Sequence, residues 1–130
     1  MKVAIANDHN GIEIKEFLIK FLSNKGYEVV DFGSNYGEQA DYPLYAFKVG
    51  KSVSKGETKL GILICGTGIG MSIAANKIKG IMCAKTDNAE EAVFPEVTVL
   101  PSTLMELPLV RVTVKSAWSY LTPSILRLTS

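Results

Sequence analysis

The sequence predicts an α/β fold in which a parallel sheet carries helices on its faces. Three observations support that expectation. The apolar pattern switches repeatedly between a strand-like and a helix-like period. The elements alternate in the order strand, helix, strand, helix, strand, glycine loop, helix, and the third strand is a continuous apolar run of the kind covered on both faces. A length of 130 residues suits one domain around a single sizeable core.

Each element has a local reason. Val3 to Ala6 form a short buried-type strand that ends at the polar cluster Asn7, Asp8, His9, Asn10 and Gly11. Ile14, Phe17, Leu18, Phe21 and Leu22 then recur at steps of three and four, with Glu13, Lys15, Glu16 and Lys20 on the opposite side. That spacing predicts an amphipathic helix closed by Gly26. Tyr27 to Phe32 reads as a second strand, and Gly33 to Asp41 as an irregular loop. Pro43 suits the first turn of the next helix, whose apolar line is Tyr45, Ala46, Val49 and Val53 and whose end is marked by Lys55 and Gly56. Leu60 to Ile64 is the central strand, and it delivers the chain into Cys65 and the glycines at 66, 68 and 70. A helix is expected to open near Met71.

Composition excludes several partners. Fourteen basic residues face thirteen acidic ones without a run of like charge, so nothing draws the chain to nucleic acid or to an anionic membrane. No apolar run approaches the length of a membrane span, and the stretch MKVAIANDHNGIEIKE is broken by Asp8 and His9, unlike a secretory signal. A cytoplasmic protein is expected. Cys65 and Cys83 make no disulfide framework, and with one histidine in the chain no metal site is expected.

In an open parallel sheet, ligands collect at the carboxyl ends of the strands. Two polar clusters fall there, Asn7-Asp8-His9 after the first strand and Cys65-Gly66-Thr67-Gly68 after the third. They line one crevice if those strands are neighbours. Glycines at 66, 68 and 70 let several backbone N–H groups converge on negative charge, although a tight turn without a ligand explains them equally well. The spacing G-x-G-x-G departs from the dinucleotide fingerprint and lacks the P-loop lysine, which disfavours nucleotide or flavin binding. Converging amides would favour the thiolate of Cys65, making it a nucleophile or a base. Cys83, inside the apolar run Ile81 to Ala84, reads as an ordinary buried thiol. Asp8 and His9 are placed to face the glycine loop, whereas Asp41 and Tyr42 read as a helix start on physical grounds alone.

The motifs NDHNG, DYPLYA and GILICGTGIGMSIAANKIKGI, in that order and spacing, resemble the ribose-5-phosphate isomerase B family, which includes the galactose-6-phosphate isomerase subunits. The resemblance runs from Met1 to about Ile81. It implies a Rossmann-like three-layer fold, a homodimer or tetramer with sites between subunits, no cofactor, and aldose–ketose interconversion of a sugar phosphate, ribose 5-phosphate foremost. Residue by residue, it implies Cys65 as the base that moves a proton between adjacent carbons, and Gly66, Gly68, Ile69 and Gly70 as the loop that holds the enediolate oxygen. It further implies Thr67 in handling the sugar ring, Asp8 and His9 in substrate binding, and Tyr42 in lining the pocket.

The family pattern stops before the chain does. Met82 stands where relatives carry an arginine, and Glu96-Val97-Thr98-Val99 stand where relatives carry an R-x-H-N-x-x-N motif that assists ring opening. Residues 1–94 are family-like. Residues 95–130 read either as a diverged tail or as the product of a shifted frame, since codons for Pro95 to Thr98 read one base out of phase can encode Arg-Ser-His. From Val97 to Val114 neither a helical period nor clean alternation is sustained, and Pro101, Pro108 and, further on, Pro123 interrupt any strand or helix. A short helix is expected at Ser116 to Tyr120 with Trp118 as its apolar anchor. No motif gives Arg111 or Arg127 the phosphate-binding role. The leading reading is thus an isomerase, and the alternative is an inactive relative that serves as a sugar-phosphate-binding or structural subunit.

Overall fold

The computed structural model describes residues 1–39 and 41–86 and, for the backbone of one further strand, 109–114. The elements are β1 (Lys2–Asn7), α1 (Ile12–Asn24), β2 (Glu28–Asp31), α2 (Tyr42–Ser54), β3 (Leu60–Cys65), α3 (Ile69–Asn76), β4 (Met82–Thr86) and β5 (Leu109–Val114). They build a five-stranded sheet in the order β2-β1-β3-β5-β4. Every pairing is parallel.

Side-chain parity along β1 sorts the core into two faces. Val3 and Ile5 join Ile62 and Ile64 of β3 against Ile14, Leu18 and Leu22 of α1. Ala4 and Ala6 join Leu63 and Cys65 against α2 and α3, through Tyr45, Ala46, Val49, Val53, Met71 and Ala75. Small alanines on this side let α2 lie close to the sheet. The result is a three-layer, Rossmann-like sandwich, and burying each large aliphatic side chain contributes about 1.5–3 kcal/mol.

The apolar line expected on α2 is the buried one, and Pro43 stands in its first turn. On α1 two expectations need correction. Phe17 is more than a third exposed and stacks on Phe21 with ring centroids 6.1 Å apart. Lys15, assigned to the solvated side, is 2% exposed, because its ammonium reaches Asp31 Oδ2 at 3.2 Å and the Ser34 carbonyl at 2.7 Å. A long aliphatic stem can lie over apolar surface when its charge finds partners at the end.

The strand at 109–114 also corrects the reading of the tail as patternless. LVRVTV lies between β3 and β4, with Gly61 opposite Val110 and Cys65 opposite Val114. Within it Val110, Val112 and Val114 alternate with Arg111 and Thr113 over only five residues, and Pro108 precedes the strand rather than interrupting it. The helix expected at Ser116 to Tyr120 lies outside the described residues.

The connections explain where a site belongs. After β1 the chain moves outward to the edge strand β2, then α2 carries it back across β1 to β3, from which it continues to the other side. The direction of winding therefore reverses between β1 and β3. In such sheets the crevice outside the carboxyl ends at that reversal is where ligands bind.

Candidate active site

β1 and β3 are direct neighbours, with Asn7 opposite Ile64, so the two polar clusters do meet. The Asp8 N–H extends the ladder by one bond, donating to the Ile64 carbonyl at 3.0 Å. This bond sets Asp8 beside Cys65, the next residue of β3. A cavity of about 440 Å³ opens there, lined by Asp8, Asn10, Tyr42, Cys65, Gly66, Thr67, Ile69, Gly70 and Met71. That volume falls within the range of small-molecule sites.

Cys65 ends its strand on the α2/α3 side of the sheet and is 5% exposed. Gly68, with φ of +74°, takes the left-handed conformation that glycine adopts without strain, and its N–H donates to Cys65 Sγ at 2.8 Å. A backbone donor aimed at the sulfur suits a sulfur that carries negative charge during a reaction. The next N–H, of Ile69, donates to Thr67 Oγ1 at 3.3 Å. The helix α3 then starts two residues earlier than Met71 and has no side-chain cap. Its first internal bond runs from the Ser72 N–H to the Gly68 carbonyl, leaving the Gly70 and Met71 N–H groups at its positive end.

Gly70 is small for a different reason. A Cβ there would stand 2.8 Å from Cε2 and Cζ of Tyr42, so the tyrosine ring lies directly against the loop. Tyr42 opens α2 and is 44% exposed, its ring forming a wall of the cavity. On the other side, the Asp8 carboxylate accepts the Asn10 N–H at 2.9 Å and the Asn10 side-chain amide at 3.4 Å.

Of the residues singled out from sequence, Asp8, Tyr42, Cys65, Gly66, Thr67, Ile69 and Gly70 line the cavity together. Gly68 lies behind the lining, where its amide serves Cys65. His9 is exposed beside it, with Nε2 3.2 Å from the Asn10 side-chain nitrogen. Asn10 and Met71 are lining residues that the sequence reading missed. Asn10 sits inside the same NDHNG cluster, and Met71 follows the loop directly. Cys83 is a buried thiol whose pKa is pushed up to about 12 by desolvation. Asn76 grips its peptide, accepting the Cys83 N–H and donating to the Cys83 carbonyl, both at 2.8 Å. Among the described residues no group of three metal-ligating side chains stands together, and no helix is long and apolar enough to cross a membrane.

Fold and site together define a Rossmann-like α/β protein whose switch-point cavity combines a thiol with a helix-opening amide loop. The chain matches the ribose/galactose isomerase family model over residues 3–96 and belongs to that family. It is 53% identical over 85 residues to a putative sugar phosphate isomerase of Bacillus subtilis, covering 65% of this chain and 57% of the relative. With ribose-5-phosphate isomerase B of Escherichia coli it shares 45% identity over 92 residues, covering 68% of this chain and 62% of that one. The chain thus spans less than two thirds of the length of these relatives. A ribose 5-phosphate isomerase structure from Thermotoga maritima superposes with a TM-score of 0.83 at 35% identity, covering 99% of this chain and 86% of the other. The Mycoplasma genitalium ribose-5-phosphate isomerase B, solved with bound ribulose-5-phosphate, gives 0.79 at 32% identity, with coverages of 97% and 80%.

Proposed function

We propose that the chain is a cofactor-independent aldose–ketose isomerase acting on a sugar phosphate, with ribose 5-phosphate and ribulose 5-phosphate as the pair. The observation that carries this reading is Cys65 Sγ on the cavity lining with the Gly68 N–H directed at it. Cys65 takes the proton from the carbon next to the carbonyl, the C–H electron pair becomes the double bond of an enediolate, and the sulfur returns the proton to the former carbonyl carbon. The hydroxyl proton passes between the two oxygens in the same exchange. The Gly70 and Met71 N–H groups at the start of α3 stand ready for the charge that develops on oxygen, where preorganised donors act most strongly. Thr67, Asp8 and Tyr42 bind and orient the sugar, and His9 reaches it from the exposed side of the same turn.

Replacing Cys65 by alanine tests the assignment. General-base catalysis is worth about 10²- to 10⁴-fold. The variant is expected to lose at least that much kcat on ribose 5-phosphate while still binding a sugar-phosphate analogue, and retained turnover would defeat the assignment. Galactose 6-phosphate is the second substrate to assay, because a relative from Clostridium acetobutylicum, 38% identical over 84 residues, is a galactose-6-phosphate isomerase subunit.

The end of the family match at residue 96 favours a second reading, a sugar-phosphate-binding or structural subunit without turnover. A wild type that binds the analogue and isomerises neither sugar supports it. Assembly into a homodimer or tetramer belongs to the same proposal. Tyr42, Phe47, Ile69 and Ile73 leave apolar surface exposed on α2 and α3, and light scattering reads the outcome.

A further inference from the structure

Beneath the cavity, on the α1 side of the sheet, a second set of polar groups is closed off from water. Asn7 follows Val3 and Ile5 on that side and is fully buried, as is Ser34, while Lys15 is 2% exposed. The Lys15 ammonium donates to the Ser34 carbonyl at 2.7 Å and to Asn35 Oδ1 at 3.4 Å, and pairs with Asp31 Oδ2 at 3.2 Å. The same Ser34 carbonyl accepts from Asn7 Nδ2 at 3.2 Å, and the Ser34 hydroxyl donates to the Asn7 carbonyl at 3.3 Å. Asn7 Nδ2 also donates to the Asp8 carbonyl at 2.8 Å. Asn7 Oδ1 is buried without a hydrogen-bond partner among the described residues, pressed against Gly33, where any Cβ would collide with it.

This arrangement is expensive for stability alone. A buried ammonium with one partly exposed carboxylate partner is often matched or bettered by an apolar side chain of similar volume. Asn7 Oδ1 adds an unsatisfied acceptor. What the groups accomplish is geometric. The Asp8 peptide is held through its N–H by Ile64 and through its carbonyl by Asn7 Nδ2 and the Gly11 N–H, which reaches it at 3.1 Å. Its carboxylate meanwhile enters the cavity lining beside Cys65.

We propose that Lys15 is a positioning residue of the candidate site: its ammonium fixes the Ser34 carbonyl, Ser34 orients the Asn7 amide, and that amide holds the Asp8 turn at the cavity wall. Lys15 touches no substrate and acts through Asp8. The consequence for turnover rests on the isomerase reading, whereas the strut itself does not.

Two measurements on the full chain test it. In the first, kcat and KM for ribose 5-phosphate are compared in wild type, Lys15→Met, Asp8→Asn and the double variant. Lys15→Met is expected to lower kcat/KM on the order of tenfold, since displacements well under 1 Å are costly in a site. The double variant is expected within about twofold of Asp8→Asn, because residues acting as one unit are not additive. Losses that multiply, or an unchanged kcat/KM in Lys15→Met, overturn the proposal. In the second, amide hydrogen exchange is followed by NMR. Lys15→Met is expected to speed exchange at Asp8 and Gly11 by tenfold or more with Val3 and Ile5 unchanged, and Ser34→Ala to act in the same direction should Lys15→Met fail to fold. Unchanged exchange at Asp8 and Gly11, or a uniform rise along β1, overturns it. A wild type without isomerase activity sinks the proposed function, and the exchange rates then decide the strut by themselves.

Discussion

Replacing Gly70 by alanine asks whether the Tyr42 ring is a working wall of the cavity. The added Cβ would stand 2.8 Å from two ring carbons and 3.2 Å from the hydroxyl oxygen. Ordinary carbon contacts begin near 3.5 Å, so the ring has to withdraw by about 0.7 Å. It withdraws into solvent, because Tyr42 is 44% exposed at the first turn of α2. Stability should hardly change, since alanine inside a helix is favoured over glycine by about 1 kcal/mol and offsets the local crowding. Activity should fall. A misplacement of 1 Å can cost about 10²-fold, so roughly 0.7 Å is expected to lower kcat/KM on the order of tenfold, or about 1.4 kcal/mol. Gly50→Ala is the control, because its Cβ would run into Ile78 in the core between α2 and β4, where overpacking costs about 1–3 kcal/mol. The assay is the rate of ribulose 5-phosphate formation, with thermal melting recorded on the same samples. Wild-type kcat/KM in Gly70→Ala, or a loss of stability matching that of Gly50→Ala, would refute the reasoning.

The two cysteines should behave differently toward iodoacetamide at neutral pH: Cys65 reacts from the cavity and Cys83 does not, as mass spectrometry of the alkylated protein would read. Because the Cys83 thiol is raised to about 12 in the folded state, it ionises more easily in the unfolded chain. Its contribution to stability is fully present below the ordinary thiol range and is lost as pH rises toward 12, so the melting temperature should fall more steeply above about pH 9 in wild type than in Cys83→Ala. Asn76→Ala removes both bonds to the Cys83 peptide and should cost about 1–3 kcal/mol, measured by urea unfolding. An unchanged midpoint there would mean that water replaces the amide without loss.

The first three strands and two helices were legible because their signals are local. The five-residue run of β3, the apolar line Tyr45-Ala46-Val49-Val53 and Pro43 each specify an element without help from distant residues. Most of the cavity lining followed from the same logic, since the carboxyl ends of β1 and β3 must carry whatever a parallel sheet presents to a ligand. Other features depended on partners far along the chain. Lys15 has the sequence spacing of a solvated residue, and only the approach of Asp31 and Ser34, brought in by β2, turns it inward. Strand β5 was hidden because its Val110-Val112-Val114 alternation is short and lies at the end of a longer stretch, Val97 to Val114, that sustains no period. Asn10 was hidden among polar neighbours of equal promise, and only the fold sets its side-chain amide between the Asp8 carboxylate and Gly66.

The place of β5 in the sheet has a bearing on how the molecule is made. About fifty residues separate the end of β3 from the end of β5, yet the two strands lie side by side. A ribosome adding roughly 5–20 residues per second needs about 3 to 10 s to cover that distance. A β1-β3 half that formed within that interval would carry a bare row of amides and carbonyls along an apolar strand, the kind of border that recruits foreign strands. The same strand ends in Cys65, so the step that seals this border late in synthesis also completes the ground on which the thiol stands. Expression yield, more than final stability, is therefore the property most exposed to changes within Leu109–Val114.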